Sequence, residues 1–144
     1  MRLKAHERCK AIARVNPQSV AAAASVSSAN SIDITRFREC LVVCQIGAFT
    51  GGVTSVQFKV EHSDSGTGSW TTVTGGDSGT ALATADRIHF GRVRCEGVKQ
   101  YVRLTITVNG GTSAMVGGCL IGLDAVNEPV SQDFAVAFDV GAPS

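Results

Sequence analysis

Five cysteines, Cys9, Cys40, Cys44, Cys95 and Cys119, and three histidines, His6, His62 and His89, are the side chains best suited to metal or nucleophilic chemistry. Cys40 and Cys44 stand closest in sequence, but four residues along a strand separate them by about 13 Å, too far to share one zinc ion through bonds of roughly 2.3 Å. They read instead as small apolar side chains of a strand. An odd count leaves at least one cysteine unpaired, and the spacing is not that of a disulfide framework, so reduced thiols are expected. The histidines are scattered, and His62 and His89 fall beside apolar residues on predicted strands, where structural roles are expected of them.

Other motifs fail on context. Ser65 in Asp64-Ser65-Gly66 and Ser78 in Asp77-Ser78-Gly79 sit in turn sequences rather than in the strand-turn-helix setting of a nucleophile elbow. Gly110-Gly111 and Gly117-Gly118 are not followed by the Gly-Lys-Ser/Thr of a phosphate loop or by a dinucleotide fingerprint. Asp64 and Asp77 lack the dense carboxylate spacing of an EF-hand. A non-enzymatic chain without metal or cofactor is the expectation.

Charge is distributed unevenly along a near-neutral total of +1. Through residue 14, Arg2, Lys4, Arg8, Lys10 and Arg14 oppose Glu7 alone, for a net +4. From Asp124 onward, Asp124, Glu128, Asp133 and Asp139 meet no Lys or Arg, for a net −4. Arg87, Arg92, Arg94, Lys99 and Arg103 form a second basic group. Exposed aromatics do not interleave with these bases as in a stacking platform for nucleic acid, and everything outside the first 14 residues sums to −3. A nucleic acid is therefore not the expected partner; an acidic protein surface satisfies the basic segment as well. No apolar run reaches the roughly 18 to 20 residues of a membrane span, and the stretch from Ala11 to Val26 is broken by Arg14, Asn16 and Pro17, unlike a secretory signal. Synthesis in the cytoplasm, with no membrane partner, is expected.

The elements that position these residues are β-type. The 144 residues with 44% apolar content suit one core. Cys40, Val42, Cys44 and Ile46 share one face of a strand, with Leu41 and Val43 opposite, which predicts a central strand covered on both sides. Thr54, Val56, Phe58 and Val60 alternate with Ser55, Gln57, Lys59 and Glu61, a half-buried strand expected to form a hairpin with the first. Trp70 to Thr74 follows a Ser/Gly-rich turn, and a second turn from Gly75 to Gly79 is expected to close it. Ile88 to Arg94 is a further strand. Val102, Leu104, Ile106 and Val108 give the clearest alternation, with Asn109-Gly110-Gly111 predicted to turn it into a hairpin with Ala114 to Leu123. No helical segment of crossover length separates the strands, so the fold class is all-β: one antiparallel β-sandwich or jelly-roll-like domain.

Three regions follow. Residues 1–30 are expected to be a basic arm and linker, with Arg2 to Arg14 able to form a short helix stopped by Pro17 and the alanine-rich run to Ser28 extended. Residues 31–126 form the sandwich body, starting with a short strand near Ile32. Residues 127–144 form an acidic tail in which Phe134, Val136 and Phe138 alternate as on a strand. That strand either pairs with an edge of its own domain or adds to a neighbouring subunit. Arg2, Lys4, Arg8, Lys10, Arg14, Phe134 and Phe138 are the candidate partner-binding residues.

The order Ser31-Ile32-Asp33-Ile34-Thr35, then Phe58-Lys59-Val60-Glu61-His62-Ser63-Asp64 leading to Ser69-Trp70-Thr71-Thr72-Val73, then Lys99-Gln100-Tyr101-Val102-Arg103-Leu104 and a late Glu128-Pro129, resembles small structural proteins encoded among the head genes of tailed bacteriophages. The resemblance covers roughly residues 15 to 130. It implies a virion protein of the capsid surface, a decoration or cement protein that binds the major capsid protein and itself as a homo-oligomer, often a trimer. The cysteine-bearing strand Glu39 to Cys44 and the basic arm depart from that pattern. Two alternatives stand beside it: a glycan- or host-surface-binding sandwich using Trp70 with the Asp64 and Asp77 turns, and a head-tail joining or tail component.

Overall fold

The computed structural model describes residues 9–28, 32–79 and 82–125, and every regular element among them is a strand. In chain order these are β1 (Lys10–Ala21), β2 (Ser25–Ser27), β3 (Ile32–Asp33), β4 (Phe37–Thr50), β5 (Ser55–Ser63), β6 (Thr71–Asp77), β7 (Arg87–Arg94), β8 (Tyr101–Asn109) and β9 (Ser113–Ala125). One sheet has the order β1-β9-β4-β7; the other runs β2-β8-β5-β6, with β3 also on β8. All pairings are antiparallel. The all-β sandwich expected from the alternation is what forms.

The core lies between the sheets and is built from the alternating faces. Val102, Leu104, Ile106 and Val108 of β8 and Val56, Phe58 and Val60 of β5 come from one sheet; Cys40, Val42, Cys44 and Ile46 of β4 and Leu120 of β9 come from the other. Side chains of this size, fully removed from water, each stabilise by about 1.5–3 kcal/mol.

Four expectations are corrected. Residues 10–21, read as part of an arm with a helix, form an edge strand, and residues 25–27, read as linker, pair with β8. Val15 and Val20 of β1 are buried in the core, which supplies the anchoring a free arm would lack. Pro17 does not stop the segment, because it falls at a register shift between Val15 and Gln18 on an edge strand, where its missing N–H costs no ladder bond.

The two predicted hairpins are not hairpins. β4 lies in one sheet and β5 in the other, and so do β9 and β8. Their connections are corners at which the chain changes sheet, and the corners bind one another. Thr54 N–H donates to Asn109 O at 2.9 Å, and Thr112 N–H donates to Thr50 O at 2.9 Å. The β1–β2 corner joins them, with Ala22 N–H on Thr112 O and Ala23 N–H on Val108 O, both at 2.8 Å. Gly111 has φ +67°, and a Cβ there would fall on the backbone of Gly52 and Val53. This corner therefore requires glycine for both conformation and space.

Third, the turn placed at Gly75–Gly79 starts too early. β6 continues to Asp77, accommodated by a register shift that sets Glu61 opposite Thr72 but Lys59 opposite Asp77. Fourth, β4 is central but covered on one side only, its other face being half-open. The Ser63–Ser69 turn forms as expected: buried Ser63 donates through Oγ to Gly68 O and accepts from the N–H groups of Ser65 and Gly66.

Candidate assembly surface

On the face turned away from the core, the β1-β9-β4-β7 sheet is unusually apolar. Val43 of β4 stands between Phe90 of β7 and Cys119 of β9, and Leu41 is opposite Ile121. Phe90 is 71% exposed, Ile88 57% and Met115 42%. Arg92 and Arg94 share this face with Phe90 along β7, and Arg92 reaches Glu39 at 3.8 Å on the neighbouring strand. Aromatic and arginine side chains around an apolar centre are the composition of protein contact surfaces.

The second basic group predicted from sequence divides. Arg87, Arg92 and Arg94 share β7, but Lys99 is paired with Asp64 at 2.9 Å, and Arg103 is committed on the opposite sheet. Arg103 Nε donates to Glu61 Oε2 at 2.6 Å while its guanidinium carbon lies 4.6 Å from the centre of the Trp70 ring. Trp70 is thus half-buried beneath an arginine rather than offered as an open platform. Asp77 accepts from Gly79 N–H and Gln57 Nε2, both at 2.7 Å, and Gly79 above all holds its carboxyl below the usual range. Asp64 and Asp77 are thus each partnered locally, Asp64 by Lys99 and Asp77 by Gln57 and Gly79.

Lys10 and Arg14 lie on β1 at the edge of the sheet, Arg14 exposed. Arg2, Lys4, Arg8, Phe134 and Phe138 lie outside the described residues, as does His6. His62 Nδ1 accepts from Lys99 N–H at 3.2 Å. His89 packs beside Phe58, ring centres 6.2 Å apart, and its buried Nε2 has no hydrogen-bond partner among the described residues.

The cysteines hold one arrangement that sequence spacing did not signal. Cys40 and Cys95, 55 positions apart, bring their Sγ atoms to 3.6 Å. Register does this: Cys40 is opposite Val93, and Cys95 N–H donates to Arg38 O just beyond the end of β7. The contact holds Cys95 below the ordinary thiol range and pushes Cys40 above it. Burial, aided by Cys119, pushes Cys44 up to about 12. Among the described residues no three His, Cys, Asp or Glu side chains converge as a metal site, and no helix is long and apolar enough to cross a membrane.

No protein-family model matches this chain, and no curated protein sequence matches it. Among solved structures, the PBSX exported protein XepA superposes with a TM-score of 0.53 over 89% of this chain at 12% identity. This chain spans 42% of that protein's length. A chain from the disulfide-linked pili of Bacillus endospore appendages overlaps over 87% of this chain and 97% of its own at 12% identity, with a TM-score of 0.42. The likeness to XepA is one of fold: a sandwich of two antiparallel sheets.

Proposed function

We propose that this protein is a non-enzymatic structural component of a tailed-phage particle, a decoration or cement protein that binds the outside of the head through the major capsid protein and stabilises the shell. The observation that carries the reading is the outer face of β7, β4 and β9, where Phe90, Ile88 and Met115 stand exposed among arginines. A flat apolar face rimmed by charge suits contact with a broad protein surface better than capture of a small molecule. The resemblance of its motif order to phage head proteins supports the particle, and the sandwich shared with an exported protein is in keeping with a place outside the cell. A standard interface buries about 1,600 Å², which a small sandwich reaches by adding its basic N-terminal residues to such a face. Self-association, as a trimer on the shell, belongs to the same proposal.

Capsids that lack the protein provide the test: they are incubated with it, pelleted, and the bound copies counted. Saturation at hundreds of copies per particle supports decoration. A dozen or fewer moves the protein to a vertex, portal or tail, and no binding overturns the assignment. The Phe90→Asp variant is expected to bind at least tenfold more weakly than the parent protein.

A further inference from the structure

Among the described residues the sandwich is open along one side. β7 ends its sheet with no further strand beside it among the described residues, and between it and β6 a groove of about 270 Å³ reaches the core. Its walls include Val42, Phe58, Val60 and the inward side of β7 at His89, Gly91 and Val93. A second cavity of about 290 Å³ shares Gly75, Gly76, Arg92 and Val93 with the first and carries the trench on past Arg94. An edge strand with unpaired backbone next to an apolar trench is a template for one more strand.

The chain itself holds a segment of matching chemistry. Nineteen residues follow Ala125, among them Asp133-Phe134-Ala135-Val136-Ala137-Phe138-Asp139. We propose that Asp133–Asp139 of the same chain adds to β7 as a fifth, antiparallel strand of its sheet, with Phe134, Val136 and Phe138 seated in the trench.

Direction and reach agree. β9 finishes opposite Phe37, at the end of the sheet where β7 also finishes, since Arg94 is opposite Glu39. A chain leaving Ala125 and turning back along β7 therefore runs antiparallel to it. From β9 to a place beyond β7 is three strand spacings, about 14 Å. Residues 126–132 span up to about 23 Å when extended.

Alternation of faces and one charge pair set the register. With Asp133 opposite Arg94, the residues Phe134, Val136 and Phe138 fall opposite Val93, Gly91 and His89, all facing the trench. Both aspartates then face outward, Asp133 beside Arg94 and Asp139 opposite Ile88 near the start of β7. A slip of one residue would bury both carboxylates and expose all three apolar side chains. In the favoured register Ala135 and Ala137 lie beside Arg92 and Phe90, so the outer face proposed above for capsid contact stays uncovered. The inference holds whatever particle the protein belongs to.

Hydrogen exchange tests it on the full chain against a chain ending at residue 126 and against the double variant Phe134→Asp, Phe138→Asp. Amides of residues 87–94 are expected to exchange at least tenfold faster in both altered proteins, with those of β8 unchanged; equal exchange in all three overturns the proposal. Should the altered proteins not fold, benzoylphenylalanine at position 138 of the full chain gives a second reading. Photolysis is expected to yield crosslinks to β5 or β7 at monomer mass. Crosslinks elsewhere, or to a second copy at dimer mass, overturn the assignment of the segment to its own chain.

Discussion

Cys40 on β4 and Cys95 beyond the end of β7 place their sulfurs 3.6 Å apart, close enough for a rotation of side chains to bring them to the roughly 2.05 Å of a bond. Both are free thiols here. With oxidised glutathione, the Cys95 thiolate attacks the glutathione disulfide and one glutathione leaves. The Cys40 thiolate then displaces the second, giving a protein two hydrogens lighter and two reduced glutathiones. Thiol titration is expected to fall from five to three, with the melting temperature raised in line with about 2–4 kcal/mol. Because Cys95 is held below the ordinary thiol range, the rate should level off at a lower pH than for a free cysteine. Cys95→Ser should abolish the reaction; five remaining thiols in the parent protein would refute it.

Gly111→Ala and Gly52→Ala form a matched pair at the sheet-changing corners. Both glycines have positive φ, +67° and +74°, but only at position 111 does a Cβ meet backbone; at 52 nothing lies within 4 Å. Urea unfolding should show a loss of about 1 kcal/mol for Gly52→Ala and clearly more, about 2–4 kcal/mol, for Gly111→Ala. Equal losses would mean that the contact between corners contributes nothing.

Arg103→Ala removes the cation over Trp70 and the bond to Glu61 together. A loss of about 1–3 kcal/mol is expected, with a red shift of fluorescence from the single tryptophan as its ring gains water. A glycan array of the parent protein should show no Trp70-dependent binding.

Acid should weaken the fold through two turn carboxylates. Asp33 is held below its ordinary value first by Thr35 and then by Gln100, and Asp77 first by Gly79. Lower folded than unfolded pKa values mean that this stability is fully present above the unfolded value, near 4, and is lost as pH falls through the folded ones. Thermal melts from pH 6 to pH 2.5 should show the decline, flattened in Asp33→Asn with Asp77→Asn.

The strands of strict alternation were legible in sequence. β5 and β8 each carry their bulky residues at every second position, and all of those residues reach the core. β1 was not legible, because register shifts between Ala11 and Ala13 and between Val15 and Gln18 break its period, leaving its alanines and its proline to suggest arm and linker. The corners were read as hairpins because Gly-rich turns look alike whether the next strand pairs with the last or crosses to the other sheet. Ile88 and Phe90 read as ordinary strand residues, since one sequence carries no mark of which β-strand ends a sheet. The Cys40–Cys95 contact depends on the β4–β7 register and had no local signal.

β9 lies between β1 and β4, so among the described residues the first strand pairs with the last. During synthesis β1, which ends at Ala21, and one side of β4, which ends at Thr50, must wait for their partner, which starts only at Ser113. The β5, β6 and β8 ladder is complete before then. A nascent chain paused before residue 113 thus carries a finished β2-β8-β5-β6 sheet covered only by the β4–β7 pair, with β1 and one side of β4 still lacking their partner.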